Sequence, residues 1–271
     1  MKDQQEPVSG KKGGLTSSGT RSGSAPDSPL ISVITVVYNG ERHLEKSIVS
    51  VVQQSYKNFE YLIVDGNSTD GTLEIIRKYE DAIDYWVSEP DQGIFDAMNK
   101  ALDAARGEWI YFLGADDKLH QPDTLAKIAP LLDKGFALVF GSICYPNGRI
   151  VRSSLGPRTL IRNCLHHQGA FYNALLFKEW RYDASLRIVA DYELNLLVYL
   201  GGRKFKKVKE VVAFCGDEGV SLAFLKMAAA ELNAVRKRHV GVLANIILSG
   251  LFRLEFEIYR LYKALKRKAA A

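Results

Sequence analysis

Runs of apolar residues alternate with amphipathic stretches along most of the chain. The first run, residues 31–37, is almost continuously apolar and β-branched, which is typical of a strand buried on both faces of a parallel sheet. Apolar residues at helical spacing follow, with Leu44, Ile48 and Val51 on one face, and a second apolar run covers residues 59–64. Because strands and helices alternate in this way, the pattern predicts an α/β fold with a mostly parallel sheet.

The same alternation continues to about residue 215. Further strands are predicted at residues 84–87, 109–113, 136–141 and 204–215, and the segment 166–172 is predicted to be a strand or to lead into one. An Asn-Gly pair at residues 147–148 predicts a hairpin, which makes the sheet mixed. We expect Pro122 in the first turn of a helix that runs to Leu132. Another helix is expected to open at Ala190 and to end at Gly201.

Composition divides the chain into three parts. Residues 1–28 are rich in Gly, Ser, Lys and Pro and poor in large apolar groups, so a disordered tail is expected there. Residues 29–218 carry the alternation of strands and helices and are expected to form one domain. Residues 219–271 are predicted to form a basic amphipathic helical extension. Its two interpretations are a helix in a membrane interface and a helical hairpin packed on the main domain.

Charge and composition narrow the class of function. The hydrophobic content of 47% and the charged content of 25% are those of an ordinary soluble globular protein. A net charge of +5 favours anionic ligands or an anionic membrane surface, but it is too small to indicate nucleic acid. The first residues lack the apolar core of a secretory signal, and no apolar run reaches the roughly 18 residues of a membrane span. A cytoplasmic location, at most peripheral to the inner face of a membrane, is therefore expected.

Acidic residues follow several of the predicted strands. Asp65 follows the second strand, Asp91 the third, and the pair Asp116 and Asp117 the fourth, while Asp191 opens a later helix. Ligands of open α/β sheets bind beyond the carboxyl ends of the strands. Paired carboxylates at that place suit a hard divalent cation that also contacts phosphates. The structural alternatives are a solvated turn for the pair and a helix N-cap for Asp191.

Together with their surroundings, these acidic positions resemble the inverting glycosyltransferases of family 2, which have the GT-A fold. The resemblance rests on four motifs in order between Leu30 and about Gly216: VITVVYNGERHLEKSIVSVVQQSY, FEYLIVDGNSTDGT, SEPDQGIFDAMNKAL and GEWIYFLGADD. It implies a Rossmann-like, mixed and mostly parallel sheet flanked by helices. It also implies transfer of a sugar from a nucleotide-sugar donor to an acceptor hydroxyl, with inversion at the anomeric carbon.

The resemblance also implies roles for individual residues. Asp117 would bind Mn²⁺ or Mg²⁺, and Asp191 would be the catalytic base that deprotonates the acceptor hydroxyl. His166 and His167 are candidates for a metal ligand or an acceptor contact, with a structural role as the alternative. Contacts with the nucleotide sugar are implied for Thr35, Val36, Tyr38, Asn39, Asp65, Asp91 and Asp116. Asn99 and Lys100 are added as candidates, because helical spacing places them on the same side of their helix as Asp96, facing the same crevice as Asp91.

One position departs from the family pattern, and it affects the donor. Many relatives have two adjacent Asp after the second strand, whereas Gly66 follows Asp65 here. UDP is the expected nucleotide, with GDP and dTDP as alternatives.

The basic extension suggests a lipid-linked saccharide acceptor, bound for a surface polysaccharide. A nucleotidyltransferase is disfavoured because no Gly-rich phosphate loop follows the first strand. The remaining alternative is a non-catalytic nucleotide-sugar-binding or membrane-docking scaffold subunit, against which the intact set of acidic residues argues.

Overall fold

A computed structural model describes residues 10–15, 28–216 and 225–269. The strands are β1 (Lys11–Gly13), β2 (Ile31–Val37), β3 (Phe59–Asp65), β4 (Tyr85–Ser88), β5 (Trp109–Phe112), β6 (Lys118–Leu119), β7 (Leu138–Cys144), β8 (Ile150–Arg152), β9 (Ala170–Asn173) and β10 (Phe205–Phe214). The helices are α1 (Leu44–Val52), α2 (Thr72–Lys78), α3 (Ile94–Ala104), α4 (Thr124–Ile128), α5 (Leu176–Glu179), α6 (Ala190–Leu200), α7 (Leu225–Val240) and α8 (Val242–Ala269).

The strands form one mixed sheet in the order β1-β4-β3-β2-β5-β9-β7-β10-β6, with β8 paired to β7. Strands β2, β3, β4, β5, β7 and β10 point in one direction, and β1, β6, β8 and β9 run against them. The prediction of a mixed, mostly parallel sheet is therefore confirmed. The segment 166–172 leads into a strand: a 3₁₀ turn at His167–Gly169 precedes β9.

The strand directions determine which segments meet at the ligand edge of the sheet. The carboxyl ends of β3, β5 and β10 lie at one edge, because these strands point the same way. The beginning of β9 lies at that edge too, because β9 is antiparallel to both β5 and β7. Four segments therefore converge there, and they carry Asp65, Asp117, His167 and Gly216.

Apolar residues bury both faces of this sheet. Ile34 of β2 belongs to a core cluster that includes Phe95 of α3 and Leu194 of α6. Its neighbour Val33 points to the other face, where Leu44 of α1 is also completely buried. Such alternation from a continuously apolar strand is what a sheet covered on both sides requires. Each large side chain buried in this way contributes about 1.5–3 kcal/mol to stability.

The predicted helix after β6 is shorter than expected, and this prediction is wrong at both ends. Helix α4 begins at Thr124 after Asp123, so Pro122 precedes the helix rather than occupying its first turn. The helix ends at Ile128 and continues only as a 3₁₀ turn over Ala129–Leu131. Pro130 explains the early end, because a proline lacks the N–H that an α-helix needs and its ring clashes with the preceding turn.

Part of the expected disordered tail is instead a strand. Residues of β1 pair antiparallel with β4, so that Lys11 lies opposite Ser88 and Gly13 opposite Trp86. A Cβ on Gly13 would lie 2.7 Å from the indole Nε1 of Trp86, so a glycine permits this close approach. Composition missed the strand because pairing at a sheet edge uses backbone groups rather than buried side chains. Residues 1–9 and 16–27 of the expected tail lie outside the described residues.

The predicted helical extension is confirmed for residues 225–269, while residues 219–224 and 270–271 of it lie outside the described part. Helix α7 packs on the main domain, because Leu232 and Val235 are buried in the same core cluster as Leu194 of α6. Helix α8 lies against α7 and leaves apolar side chains in solvent, among them Leu243 and Ile247. Among the described residues, no helix combines the length and the apolar character needed to cross a bilayer.

Candidate active site

Asp117 lies in a tight turn directly after β5. Its backbone N–H donates to the carbonyl of Gly114 (3.1 Å), and its carboxylate folds back so closely that Gly114 has no room for a side chain. Asp117 is only 3% exposed, and its Oδ1 accepts a hydrogen bond from the N–H of Gly216 at 2.9 Å. The end of β10 therefore holds the carboxylate that follows β5.

The electrostatics of this carboxylate are unfavourable in the protein alone. Burial, followed by repulsion from the Asp116 carboxylate, raises the pKa of Asp117 to about 6, against the Gly216 hydrogen bond and the nearby His167. Asp116 approaches the same glycine: a Cβ on Gly216 would lie 2.7 Å from Asp116 Oδ2. A divalent cation would relieve this repulsion, and carboxylate oxygens are the ligands that Mg²⁺ and Mn²⁺ prefer. The residues present thus fit such a cation.

Protein side chains alone would not complete such a cation's coordination. Within residues 10–15, 28–216 and 225–269, no group of three or more His, Cys, Asp or Glu side chains is arranged to hold a metal. Mg²⁺ is commonly bound by one or two carboxylates, with the remaining ligands supplied by water and substrate phosphates. Asp116 and Asp117 match that kind of open site rather than a closed structural one.

Asp191 is the second residue of α6, and its carboxylate is held on several sides. Asn163 Nδ2 donates to Oδ2 at 3.0 Å, and the backbone N–H of Tyr192 donates to Oδ1 at 2.7 Å. The Nδ1 atom of His167 lies 3.5 Å from Oδ2. The N-cap alternative for Asp191 is wrong, because Val189 occupies the N-cap position and α6 begins at Ala190.

His167 connects the two acidic parts of the site. Burial alone would lower the pKa of its imidazole, but the Asp191 carboxylate, followed by Asp117 and Asp116, raises it above its usual value. His166 differs, because burial and the adjacent His167 lower its pKa. The Asp191 carboxylate acts on both imidazoles, but only His167 lies 3.5 Å from Asp191 Oδ2 and also interacts with Asp117 and Asp116.

Asp65 is completely buried at the end of β3 and organises the loop that follows. Its Oδ2 accepts hydrogen bonds from Ser88 Oγ at 2.6 Å and from the Ser68 N–H at 3.1 Å, and Ser68 Oγ donates to Oδ1. Asn39, which has a φ of +52°, donates its backbone N–H to Ser68 Oγ at 2.7 Å and accepts the N–H of Thr69 at 2.9 Å. Asp65 and Asn39 thus fix the loops after β2 and β3 against each other.

Tyr38, Gly66 and Asp91 form one wall of the crevice beside those loops. Tyr38 is 64% exposed, and its ring lies 3.4 Å from where a Cβ of Gly66 would be. One oxygen of Asp91 fills the space that a side chain at position 66 would need, and the other accepts the N–H of Gly93 at 2.8 Å. Burial raises the pKa of Asp91, although that hydrogen bond and Lys100 favour its charged form. We call this surface the Tyr38 wall.

Two predicted donor contacts lie on β2 itself. Thr35 is completely buried, and its hydroxyl lies 3.1 Å from the hydroxyl of Tyr61 inside the sheet. Val36, the next residue, is partly buried and packs against the core cluster on the α3 face. The Thr35 side chain therefore packs inside the sheet, while contact of the donor with the backbone around Thr35 and Val36 stays a prediction.

Asn99 and Lys100 on α3 also have contacts within the fold, and their predicted contacts with the donor stay predictions. The Asn99 amide donates to the carbonyl of Tyr182 at 2.8 Å and accepts its N–H at 3.0 Å. Lys100 Nζ lies 2.8 Å from Glu89 Oε1 and donates to the carbonyl of Pro90 at 2.7 Å. Asn99 thus joins α3 to the segment before α6, and the Lys100 ammonium is neutralised next to the crevice.

Sequence reasoning missed three residues that complete the site: Asn163, Gln168 and Gly216. Asn163 donates to Asp191, Gln168 stabilises the Asp117 carboxylate, and Gly216 supplies the N–H described above. None lies within the four motifs. Their positions follow from how β9 and β10 pair in the sheet, which the local sequence does not encode.

A crevice at the carboxyl edge of a mostly parallel sheet, with paired acids beside a loop-lined wall, is where proteins with open α/β sheets bind their ligands. Residues 32–189 match the family model described as Glycosyl transferase family 2, and the chain belongs to that family. The matched region ends two residues before Asp191, so the interpretation of Asp191 depends on the geometry above.

Relatives of this chain are also named as glycosyltransferases. A PGL/p-HBAD biosynthesis glycosyltransferase of Mycobacterium bovis is 34% identical over 176 residues, which cover 62% of this chain and 69% of that protein. A putative teichuronic acid biosynthesis glycosyltransferase, TuaG of Bacillus subtilis, is 36% identical over 115 residues, or 41% of this chain and 46% of TuaG. The family and these relatives mark the chain as a glycosyl-transfer enzyme.

Solved structures confirm the GT-A fold. S. aureus TarS 1–349 in complex with UDP-GlcNAc has a TM-score of 0.61 and 21% identity, with 76% of this chain and 66% of that chain covered. The mannosyltransferase PcManGT from Pyrobaculum calidifontis, in complex with GDP-Man and Mn²⁺, has a TM-score of 0.62 and 22% identity. That match covers 90% of this chain and 76% of PcManGT. This chain thus spans about two thirds of the TarS fragment.

Proposed function

We propose that this protein transfers a glycosyl group from a nucleoside-diphosphate sugar to an acceptor hydroxyl, with inversion at the anomeric carbon and with a divalent cation. The observation that carries the proposal is the convergence of Asp117 and Asp191 on His167 at the ligand edge of the sheet. The buried Asp117 carboxylate faces the neighbouring Asp116 and suits a cation. The Asp191 carboxylate is held by hydrogen bonds from Asn163 and the Tyr192 N–H. The site thus has separate groups for the leaving group and for the acceptor.

Asp117, with Asp116 beside it, would hold Mn²⁺ or Mg²⁺ next to the diphosphate of the donor. When bound, the cation would neutralise the charge that develops on the departing nucleoside diphosphate. The Gly216 N–H keeps the Asp117 carboxylate in place, and burial excludes the water that would otherwise screen it. PcManGT, whose structure contains GDP-Man and Mn²⁺, supports a divalent cation in this fold.

Asp191 would accept the proton of the acceptor hydroxyl. The acceptor oxygen forms the new bond to the anomeric carbon, the bond from that carbon to the phosphate oxygen breaks, and the proton passes to Asp191. A well-placed general base contributes about 10²–10⁴-fold to such a step. Asn163, the Tyr192 N–H and His167 orient the carboxylate, and the Asp191 carboxylate in turn raises the pKa of the His167 imidazole against the effect of burial.

The Tyr38 wall is proposed to receive the nucleoside of the donor. Its exposed tyrosine offers a face for a base, and Asp91 offers an acceptor for ribose or base N–H and O–H groups. We propose UDP as the nucleotide, with GDP and dTDP as alternatives. The UDP-GlcNAc of the TarS complex and the GDP-Man of the PcManGT complex support either of the first two.

For the acceptor, we propose a lipid-linked saccharide used in polysaccharide or glycolipid assembly. The relatives named for PGL/p-HBAD and teichuronic acid biosynthesis support an acceptor of this kind. Helix α8 carries an exposed apolar stripe that includes Leu243 (80% exposed), Ile247 (66%) and Leu254 (57%), with Arg253 and Arg260 also exposed. An amphipathic basic helix of this kind suits the interface of an anionic membrane.

A donor panel tests the proposed reaction. Wild-type protein, Asp117→Asn and Asp191→Asn would be incubated with UDP-, GDP- and dTDP-sugars, with and without Mn²⁺ or Mg²⁺, and binding and release of nucleotide would be measured. We expect one donor class to bind in a metal-dependent way, Asp117→Asn to lose that dependence, and Asp191→Asn to bind donor but to turn over about 10²–10⁴-fold more slowly. Metal-dependent binding without turnover, on any acceptor tested, would favour the scaffold subunit.

Vesicle binding tests the membrane part separately. Full-length wild type and a Leu243→Ser, Ile247→Ser, Leu254→Ser variant would be sedimented with vesicles of phosphatidylglycerol and phosphatidylcholine, and with phosphatidylcholine alone. We expect wild type to pellet with the anionic vesicles and the triple variant to stay in the supernatant. Equal sedimentation of the two proteins would remove α8 from the membrane proposal and leave the donor chemistry untouched.

A further inference from the structure

Helix α7 contacts the segment that leads into α6 through a single carboxylate. Glu231 accepts hydrogen bonds from three consecutive backbone N–H groups: Arg187 at 2.8 Å, Ile188 at 2.9 Å and Val189 at 3.2 Å. Val189 is the N-cap residue of α6. The N–H groups at the start of a helix, of which the Val189 N–H is the first here, need partners from outside the helix, and a negative charge at this end is also favoured by the helix dipole. Arg187 and Ile188 precede the helix. Glu231 thus fixes the chain just before Asp191.

A second contact lies just after Asp191, and here the carboxylate belongs to α6 and its partners to α7. Glu193 of α6 is 2% exposed, and its Oε1 accepts a hydrogen bond from Arg238 Nη1 at 2.9 Å and lies 2.6 Å from His239 Nε2. Both of these partners belong to α7. Asp191 is therefore bracketed along the chain by residues that α7 holds on either side.

A third contact reaches the residue that orients the Asp191 carboxylate. Arg236 of α7 is 2% exposed, and its Nη1 donates to the carbonyl of Ile161 at 2.6 Å. Ile161 lies two residues before Asn163, whose amide donates to Asp191. Helix α7 therefore holds both the helix that carries Asp191 and the turn that carries its amide partner.

We infer that Glu231 is a positioning residue for the catalytic base, so that α7 belongs to the catalytic unit although it lies outside the family match at residues 32–189. This inference rests on the proposed role of Asp191. Three N–H groups that converge on one carboxylate define the direction in which α6 starts, and Asp191 is only two residues further on. A displacement of about 1 Å at a reacting group can cost on the order of 10²-fold in rate.

Glu231→Gln is the most direct test, because it keeps the size of the side chain and replaces one accepting oxygen by an NH₂ group that faces N–H donors. We expect kcat to fall about 10–100-fold, while the dissociation constant of the donor stays unchanged because the Tyr38 wall lies apart from α7. Hydrogen exchange of the amides 187–189 should become faster. The matched control is Glu179→Gln on α5, an exposed residue that pairs with Arg203 and should leave kcat unchanged.

A double-mutant cycle separates positioning from stability. If Glu231 acts through Asp191, then Glu231→Gln should cost nothing further in the Asp191→Asn background, whereas a general loss of folded protein would reduce both backgrounds equally. Unchanged kcat per donor-binding site in Glu231→Gln, with only a lower melting temperature, would overturn the inference. So would equal losses in the two backgrounds.

Two further outcomes keep this test distinct from that of the reaction itself. If Asp191→Asn retained full turnover, the proposed base would fail, and the positioning role with it. If Asp191→Asn were inactive but Glu231→Gln were fully active, only the positioning role would fail. Should Glu231→Gln not fold, Glu231→Asp retains the charge on a shorter side chain. Faster exchange at residues 187–189 with wild-type kcat in that variant would also overturn the inference.

Discussion

The two edges of the central sheet each bury a carboxylate, but they treat it in opposite ways. At the amino edge, Glu60 of β3 is 3% exposed and accepts hydrogen bonds from Ser32 Oγ at 2.5 Å, from the Arg106 N–H at 2.5 Å and Nε at 2.9 Å, and from the Gly107 N–H at 3.0 Å. At the carboxyl edge, Asp117 is equally buried but faces the like charge of Asp116, and its pKa is raised to about 6.

The difference shows how one fold separates stability from function. Donors that surround a buried carboxylate compensate for the water it has lost, so Glu60 joins β2, β3 and the turn before β5. Asp117 lacks that degree of compensation. The folded protein is therefore less stable when the Asp117 carboxylate is charged, and a bound cation raises its stability. Perturbed carboxylates in a crevice are typical of functional sites. Substitutions at either edge test this difference.

The largest stability effect should come from Glu60→Ala at the amino edge. Removing this carboxylate leaves the Ser32 hydroxyl and the Arg106 N–H without their Glu60 acceptor, and the Gly107 N–H keeps only Ser32 Oγ. This loss should lower the free energy of unfolding by about 2–4 kcal/mol. Urea denaturation measures the change. Turnover per folded molecule should stay the same, because the two edges lie at opposite ends of the strands. A variant with normal stability and reduced turnover would contradict the assignment of this edge to structure.

The second-largest effect should be an increase in the free energy of unfolding, caused by a substitution at the carboxyl edge. The folded pKa of Asp117, about 6, exceeds its usual 3.8, so the folded state holds the proton more tightly and stability falls as the pH rises between these values. Asp117→Asn removes the charge, so its free energy of unfolding at pH 7.5 without metal should exceed that of wild type by about 1–3 kcal/mol.

Urea denaturation at pH 7.5 and pH 4 measures this gain, which should shrink towards the lower pH because wild-type Asp117 becomes protonated there. Added Mn²⁺ with donor should stabilise wild type more than the variant, since ligands that bind the folded state raise its stability. A variant less stable than wild type at pH 7.5 would show that the carboxylate is compensated as well as Glu60 is.

The smallest effect should come from the wall beside the paired acids. In Gly66→Ala the new methyl group collides with the Asp91 carboxylate, while the backbone tolerates alanine because Gly66 is not in the left-handed region. We expect donor affinity to fall about tenfold, or 1.4 kcal/mol, with little change in stability. Isothermal calorimetry measures the affinity. Gly156→Ala, where a Cβ would have no atom within 4 Å, is the control and should bind donor normally.

The parts of the fold that could be predicted are those encoded by local pattern. Continuous β-branched runs indicated β2 and β3, the paired carboxylates after a strand indicated Asp117, and the resemblance to the family indicated Asp191 at the start of a helix. The contact between His167 and Asp191 could not be derived, because it depends on β9 running antiparallel between β5 and β7. Gly216 was hidden for a related reason, because its approach to Asp117 depends on how β10 pairs with β7 and β6. Helical spacing suggested Asn99 and Lys100, but it could not show that Tyr182 and Glu89 already bind them.

The ends of the sheet have a consequence for contacts between molecules. Its outermost strands are β1, with three residues, and β6, with two. An exposed strand edge is a template for pairing with another chain, and short edge strands are one of the ways in which proteins prevent this. Because β1 covers β4, the three residues Lys11–Gly13 shield the long parallel half of the sheet from recruiting strands of neighbouring molecules. A small paired segment in an otherwise polar stretch thus guards against aggregation.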